Sequence, residues 1–382
     1  MYTCLRYRFL ISLIGSLLLF CISLPSNLMA LELANVPLTK ATPESQNLSS
    51  SKLNEAVTKI TGGDYGKIHS LLITRNNYLV LENYFAGFKR EDMHRIESAT
   101  KSISSALIGI AIEQGKIKDV QTKVLEFFPE YKNIENVDPR KKNVSLESVL
   151  TMTPGFQWDE SSFSFLNPKN DAMRMVESPD SIKYVLDLPL NDTPGNSTYQ
   201  GEFIYNSGCS MLLSGILKNS SGQTAEEFAI NQLFKPLGIK QWYWSSVMDG
   251  AINTAWGLSL RPLDMARFGI MFLNDGRWLD DQVVSREWAQ VSTSKHVNTV
   301  KKRHDHIEKR AYGYQWWRFI DDDSIVSNLA INDIYYALGY GGQLIIVIPH
   351  LKMVVVSTGS NHFNSWLFLD VLRDYIFPAV LD

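Results

Sequence analysis

Apolar residues recur along this chain with two different periods, and the switch between them marks out its parts. In "HSLLITRNNYLVLENYFAG" (69–87) two β-prone apolar runs flank "RNN", which predicts a hairpin. After Ser98 the period changes. Ile103, Leu107 and Ile110 recur at spacings of four and three beside Ala106, predicting a helix with an apolar stripe that stops at Gly115. "PLDMARFGIMFLNDG" (262–276), with Pro262 early and Gly276 late, predicts another helix. Toward the C-terminus "DIYYALGY", "QLIIVIP" and "KMVVVSTGS" are β-branched runs separated by "GG" and "PHL", and they read as antiparallel neighbours. "SWLFLDVLRDYIFPAV" (365–380) reads as a closing amphipathic helix. Strands at both ends with helices between them predict an α+β architecture. The N- and C-terminal strands share one antiparallel sheet, and residues 120–330 or so form a mostly helical lobe.

Composition alters this picture mainly at the N-terminus. With 382 residues, 45% of them hydrophobic, the chain has ample material for one large core, placed at 53–382. A net charge of -3 without a long basic block argues against a nucleic-acid partner. "KKRHDHIEKR" (301–310), interrupted by acids, reads as a solvated loop. Arg6 and Arg8 precede the apolar run 9–25, which is short for a membrane span and has the order of a secretory signal peptide. Residues 1–30 are therefore expected to be a leader cleaved after Ala30, and 31–52 a linker, giving a periplasmic or secreted protein. An uncleaved anchor or a lipid on Cys21 is the alternative, and only then does the protein contact a membrane. Removal of the leader leaves Cys209 alone, so no internal disulfide is expected.

The candidate chemistry begins with a serine three residues before a lysine. The pattern occurs three times, at Ser49/Lys52, Ser98/Lys101 and Ser292/Lys295. A serine hydroxyl needs a base, and a lysine serves as one only if burial lowers its pKa by several units. Ser49/Lys52 lies in a polar stretch and Ser292/Lys295 in polar "VSTSKH". Only Ser98/Lys101 opens a long apolar helix, whose geometry puts both side chains on one face. Unpartnered N–H groups in the first helical turn, that of Ser98 included, suit an oxyanion. The ordinary alternative is a capping serine followed by a surface lysine.

Ser98-Ala99-Thr100-Lys101 is matched by "GEFIYNSGCSMLLSGIL" (201–217), "LTMTPGFQWDE", "WGLSLRPLDMARFGIMFLNDGRW", "YGYQWWR" and "GYGGQLIIVIP". With these stretches in this order, roughly residues 50–380 resemble the serine β-lactamase and penicillin-binding-protein-like superfamily. The nearer resemblance is to the branch of class C β-lactamases, related esterases and 6-aminohexanoate-dimer hydrolases. It implies the β-lactamase/transpeptidase-like fold, Ser98 as the acylated nucleophile, Lys101 as its base, and Tyr205 as a second proton shuttle whose pKa cationic Lys101 lowers. The family's Tyr-x-Asn reads Tyr205-Asn206-Ser207 here, with Ser207 at the asparagine position, so either Asn206 or Ser207 replaces the asparagine or the substrate-amide contact is lost. The Lys-Thr-Gly strand falls on Ala337-Leu338-Gly339, with the Tyr340 N–H as second oxyanion donor. The missing cation argues against carboxylated antibiotics, and apolar contact with Leu338 favours small neutral esters.

No His-Glu-x-x-His motif or cysteine cluster suggests a metal, and no cofactor is expected. A histidine-based triad lacks its Gly-x-Ser-x-Gly elbow. The favoured reading is an exported serine hydrolase of small ester, amide or peptide substrates. A β-lactamase or D-alanyl-D-alanine carboxypeptidase is the alternative, and a non-catalytic binding or sensor module a further one. Trp158, Trp316, Trp317 and Tyr340 are candidates to line an apolar cleft.

Overall fold

The computed structural model describes residues 38–381 apart from 166, 192–200, 304–305, 321–332 and 363. The expected leader lies outside the described residues.

Eight antiparallel strands form the central sheet: β1 (Ile68–Arg75), β2 (Tyr78–Tyr84), β3 (Val297–Arg303), β4 (His306–Tyr312), β5 (Trp317–Arg318), β6 (Tyr335–Gly339), β7 (Gln343–Ile348) and β8 (Met353–Gly359). Their order across the sheet is β2-β1-β8-β7-β6-β5-β4-β3, so the first strand of the chain pairs with the last. Asn76 and Asn77, at φ 52° and 66°, make the two-residue turn between β1 and β2; asparagine tolerates this left-handed backbone. Side chains alternate across β7 and β8. Ile345, Val347, Val354 and Val356 face one apolar cluster, and Leu344, Ile346, Met353 and Val355 face the other.

The outer cluster lies under α1 (Ser50–Thr61) and the C-terminal helical turns. The inner one holds α2 (Thr100–Glu113), α3 (Ser207–Ser221) and α4 (Pro262–Leu273). Gly269 lets α4 approach the sheet closely, since a Cβ there would stand 2.6 Å from Val354 Cγ1. The predicted helix after Ser98 is α2, but it has no solvent face: every residue from Thr100 to Ala111 is buried. Two of its serine hydroxyls donate to neighbouring segments, Ser102 to Gln315 O at 2.7 Å and Ser104 to Thr254 O at 2.9 Å, while Ser105 Oγ is buried without a hydrogen-bond partner among the described residues.

Four expectations need correction. The helical lobe does not extend to residue 330, because β3, β4 and β5 already belong to the sheet. "KKRHDHIEKR" is therefore not a loop: Lys301–Arg303 and His306–Arg310 lie on paired strands. The end of the supposed linker is also built into the domain. Leu38 and Leu48 are buried, Ala41 N donates to Leu79 O at 3.1 Å, and Ser49 caps α1. Finally, the last helix starts only at Phe368 and passes from an α turn (Phe368–Val371) to a wider turn (Leu372–Ile376) and a tight one (Phe377–Ala379). No helix among the described residues is long and apolar enough to cross a membrane.

Candidate active site

Ser98 sits in a single 3₁₀ turn, Glu97–Ala99, that leads directly into α2. The residue before it, Glu97, has φ 48°, a left-handed conformation that a glutamate adopts at a cost and that sets the turn at Ser98. Two anchors hold this turn. His94–Arg95 pairs with Leu258–Leu260, Ile96 N donates to Leu258 O at 2.9 Å, and Thr100 Oγ1 accepts from Leu258 N at 3.2 Å. On the other side Gly339, at the end of β6, lies so near that a Cβ would stand 2.1 Å from Ile96 O.

One turn into α2, the Lys101 side chain is 1% exposed, and three oxygens surround its Nζ. Nζ lies 3.1 Å from Ser98 Oγ, 3.1 Å from Ser207 Oγ and 3.0 Å from Ala255 O. Asn253 Oδ1 accepts from Ala255 N and Trp256 N at 3.1 and 3.0 Å, fixing the bend that turns the Ala255 carbonyl inward. Burial depresses the Lys101 ammonium to about 8, against the opposing charges of Glu160, Glu97 and Cys209. A usable fraction is then the free amine at neutral pH.

Tyr205 stands just before α3, half-buried, with Lys101 Nζ 4.9 Å from its ring centroid and Trp317 stacked on it at 5.8 Å. Loss of water and the nearby Glu160 charge raise its phenol well above the ordinary value, and a hydrogen bond with Ser98 offsets only part of this. The expectation of a lowered Tyr205 is thus corrected: burial lowers the lysine and raises the tyrosine.

Asn206 and Ser207 take different places at the start of α3. Asn206 is its N-cap, with Oδ1 accepting from Cys209 N at 3.1 Å, while Ser207 is the residue that meets Lys101. Ser207 is in turn held by Glu160, whose Oε1 accepts from Ser207 Oγ at 3.1 Å and whose Oε2 accepts from Ser207 N at 2.8 Å. Trp158 Nε1 donates to the same Oε2 at 2.8 Å. The sequence reading did not single out Glu160 or Glu97, although Glu160 closes the quoted stretch "LTMTPGFQWDE".

The remaining candidates separate. Ser49 is a helix cap whose Lys52 pairs with Glu55 at 2.8 Å in solvent, and Ser292 is buried away from this site. Trp316 is core, stacked on Phe268 at 5.8 Å. Trp317 backs Tyr205, and Tyr340 is 44% exposed on the turn after Gly339, with Phe165 6.0 Å and His362 4.8 Å from its ring. Ala337 faces the inner cluster but Leu338 faces the outer one, across the sheet from α2. The expected contact of Leu338 with substrate therefore falls away. Among the described residues no group of three or more potential metal ligands occurs.

A family model described as Beta-lactamase matches residues 69–364. The chain is 24% identical over 328 residues to the 6-aminohexanoate-dimer hydrolase of Paenarthrobacter ureafaciens, covering 80% of this chain and 78% of that one. Among solved structures it resembles EstCE1, a hydrolase with promiscuous acyltransferase activity, with TM-score 0.67 and 14% identity over 87% of this chain and 99% of that one. A class C beta-lactamase matches with TM-score 0.63 and 16% identity, over 86% and 95% of the two chains.

Proposed function

Since the chain belongs to the Beta-lactamase family of serine hydrolases, we propose that it cleaves small esters or amides through an acyl-enzyme on Ser98. The observation that carries this reading is the buried amine of Lys101, 3.1 Å from Ser98 Oγ and depressed to about 8. A neutral amine has two N–H donors and one lone pair. Ser207 Oγ and Ala255 O take the donors, and the lone pair is left for the Ser98 proton.

In the acylation step Ser98 Oγ bonds to the substrate carbonyl carbon as its proton passes to Lys101. The carbonyl π pair becomes an oxyanion, which the N–H groups of Ser98 and Tyr340 receive. Collapse of the oxyanion breaks the bond to the leaving alcohol or amine, which takes the Tyr205 proton. Lys101 then returns its proton to Tyr205. In the second step water attacks the acyl carbon and gives up a proton along the same route; collapse breaks the bond to Ser98 Oγ, which takes that proton as the carboxylic acid leaves. Gly339 contributes the close approach that brings the Tyr340 turn beside the Ser98 turn.

Neutral acyl groups suit this site better than carboxylated ones. Ala337 stands where a cation is expected to hold a carboxylate, while Glu160 and Glu97 add negative charge near Ser98. The name of the Paenarthrobacter relative, 6-aminohexanoate-dimer hydrolase, supports including amides, since an amino group and a carboxyl group joined in a dimer form an amide bond. Export through the apolar leader, with the mature chain starting near Leu31, is part of the same proposal. Steady-state turnover of p-nitrophenyl butyrate and of a penicillin tests the reading. Ester hydrolysis lost in Ser98→Ala, with slow or undetectable penicillin turnover, is expected. Faster penicillin than ester turnover would favour the β-lactamase alternative.

A further inference from the structure

Lys101 faces two serines at the same distance, 3.1 Å to Ser98 Oγ and 3.1 Å to Ser207 Oγ. A free amine has one lone pair, so either hydroxyl could donate to it, and a proton donated by Ser207 would block the proton of Ser98. What separates them is the second partner of each. Ser207 Oγ has a carboxylate oxygen 3.1 Å away, and Glu160 cannot donate while ionised. The Ser207 hydroxyl therefore directs its single proton to Glu160 and presents only lone pairs to Lys101.

We propose that Glu160 is a positioning residue which, by holding the Ser207 hydroxyl as a donor to itself, reserves the Lys101 lone pair for Ser98. This rests on the acyl-enzyme reading above and adds a residue to it. The carboxylate is fixed for the task from three directions: Oε2 is occupied by Ser207 N and Trp158 Nε1, both at 2.8 Å, which leaves Oε1 for the hydroxyl. It comes from a loop 47 positions before Ser207, so the arrangement is tertiary and does not belong to the cap of α3. The titratable groups around the pair are Tyr205, Cys209, Glu97 and Tyr312; Arg95 lies 3.2 Å from Glu97. Among the described titratable groups, Glu160 and Lys101 are the two that hydrogen-bond Ser207.

The substitution Glu160→Gln reverses the relay while keeping the shape. Ser207 N and Trp158 Nε1 both donate to one position, so the amide oxygen must sit there and the NH₂ must face Ser207 Oγ. Ser207 then accepts from the amide, and its own proton turns to Lys101. Loss of the negative charge acts in the same direction, since Glu160 opposes the fall in the Lys101 pKa.

The experiment measures the pre-steady-state burst of p-nitrophenol from p-nitrophenyl butyrate between about pH 5 and 10 for the wild type, Glu160→Gln, Ser207→Ala and the double variant. Mass spectrometry checks the acyl group on Ser98. In Glu160→Gln the plateau burst rate is expected to fall at least about tenfold, and the rising limb to move about one unit to lower pH. Ser207→Ala moves the limb the same way, so the test survives if the glutamine variant does not fold. The double variant, in which no second hydroxyl competes, is expected to acylate faster than Glu160→Gln alone. An unmoved limb in both single variants, or a double variant slower than Glu160→Gln, overturns the role of Glu160 while leaving Ser98 as the nucleophile. No acyl group on Ser98 in the wild type overturns both.

Discussion

In the proposed mechanism the chemistry turns on Lys101, whose burial shifts its protonation. Its ammonium is depressed to about 8, and with the free amine as the proposed base acylation is expected to rise with pH through about 8. Tyr205 is raised above its ordinary value and is the acid of the proposed mechanism, so no falling limb is expected below about 10. Burst rates across pH check both statements. Lys101→Ala and Tyr205→Phe are each expected to lose at least about 10²-fold in kcat/KM. The double variant should be scarcely worse than either single one, because the two residues pass the same proton; multiplied losses would show that they act independently. Ser98, Lys101 and Tyr205 could be singled out from the chain because a helix start and ordered neighbouring stretches mark them. Glu160 could not. Its partner Ser207 lies 47 positions away, and only the fold brings the carboxylate to the hydroxyl.

The elements matter here through close approach. β6 reaches the turn carrying Ser98 only because position 339 lacks a side chain, a Cβ there being 2.1 Å from Ile96 O. Gly339→Ala is therefore expected to cost about 1–3 kcal/mol and to slow acylation, since the obstructing atom is backbone two residues before Ser98. Chemical denaturation and the burst rate measure the two effects, and an unaffected burst rate would show that β6 does not place the nucleophile. Most of these elements can be read from periodicity and turn chemistry: the Asn76–Asn77 hairpin, α4 between Pro262 and Gly276, and the three strands from Tyr335 to Gly359. The strands from 297 to 318 cannot, because charged residues occupy Lys301–Arg303 and mask any apolar alternation. α2 misleads differently. Serines 102, 104 and 105 look like a solvent face but are buried, two of them by donating to carbonyls of neighbouring segments.

At the scale of the molecule, the sheet joins both ends of the chain and the inner cluster joins sheet to helices, so the catalytic turn is held by segments from residue 94 to residue 339. On the proposed reading, the Glu160 and Glu97 carboxylates and the apolar Ala337 are expected to disfavour anionic substrates. A neutral butyrate ester should outpace its succinate-type analogue carrying a free carboxylate, mainly through KM; the reverse order would contradict that preference. If the leader is removed as proposed, N-terminal sequencing of the exported form should begin near Leu31, whereas a retained Met1 in a membrane fraction would indicate an anchor. The most direct test of the central claim is intact mass spectrometry of the wild type and Ser98→Ala after exposure to a fluorophosphonate, with peptide mapping of any adduct. A single adduct on Ser98 of the wild type, absent from a folded Ser98→Ala, is the predicted result. An unlabelled wild type, or equal labelling of both proteins, would contradict it.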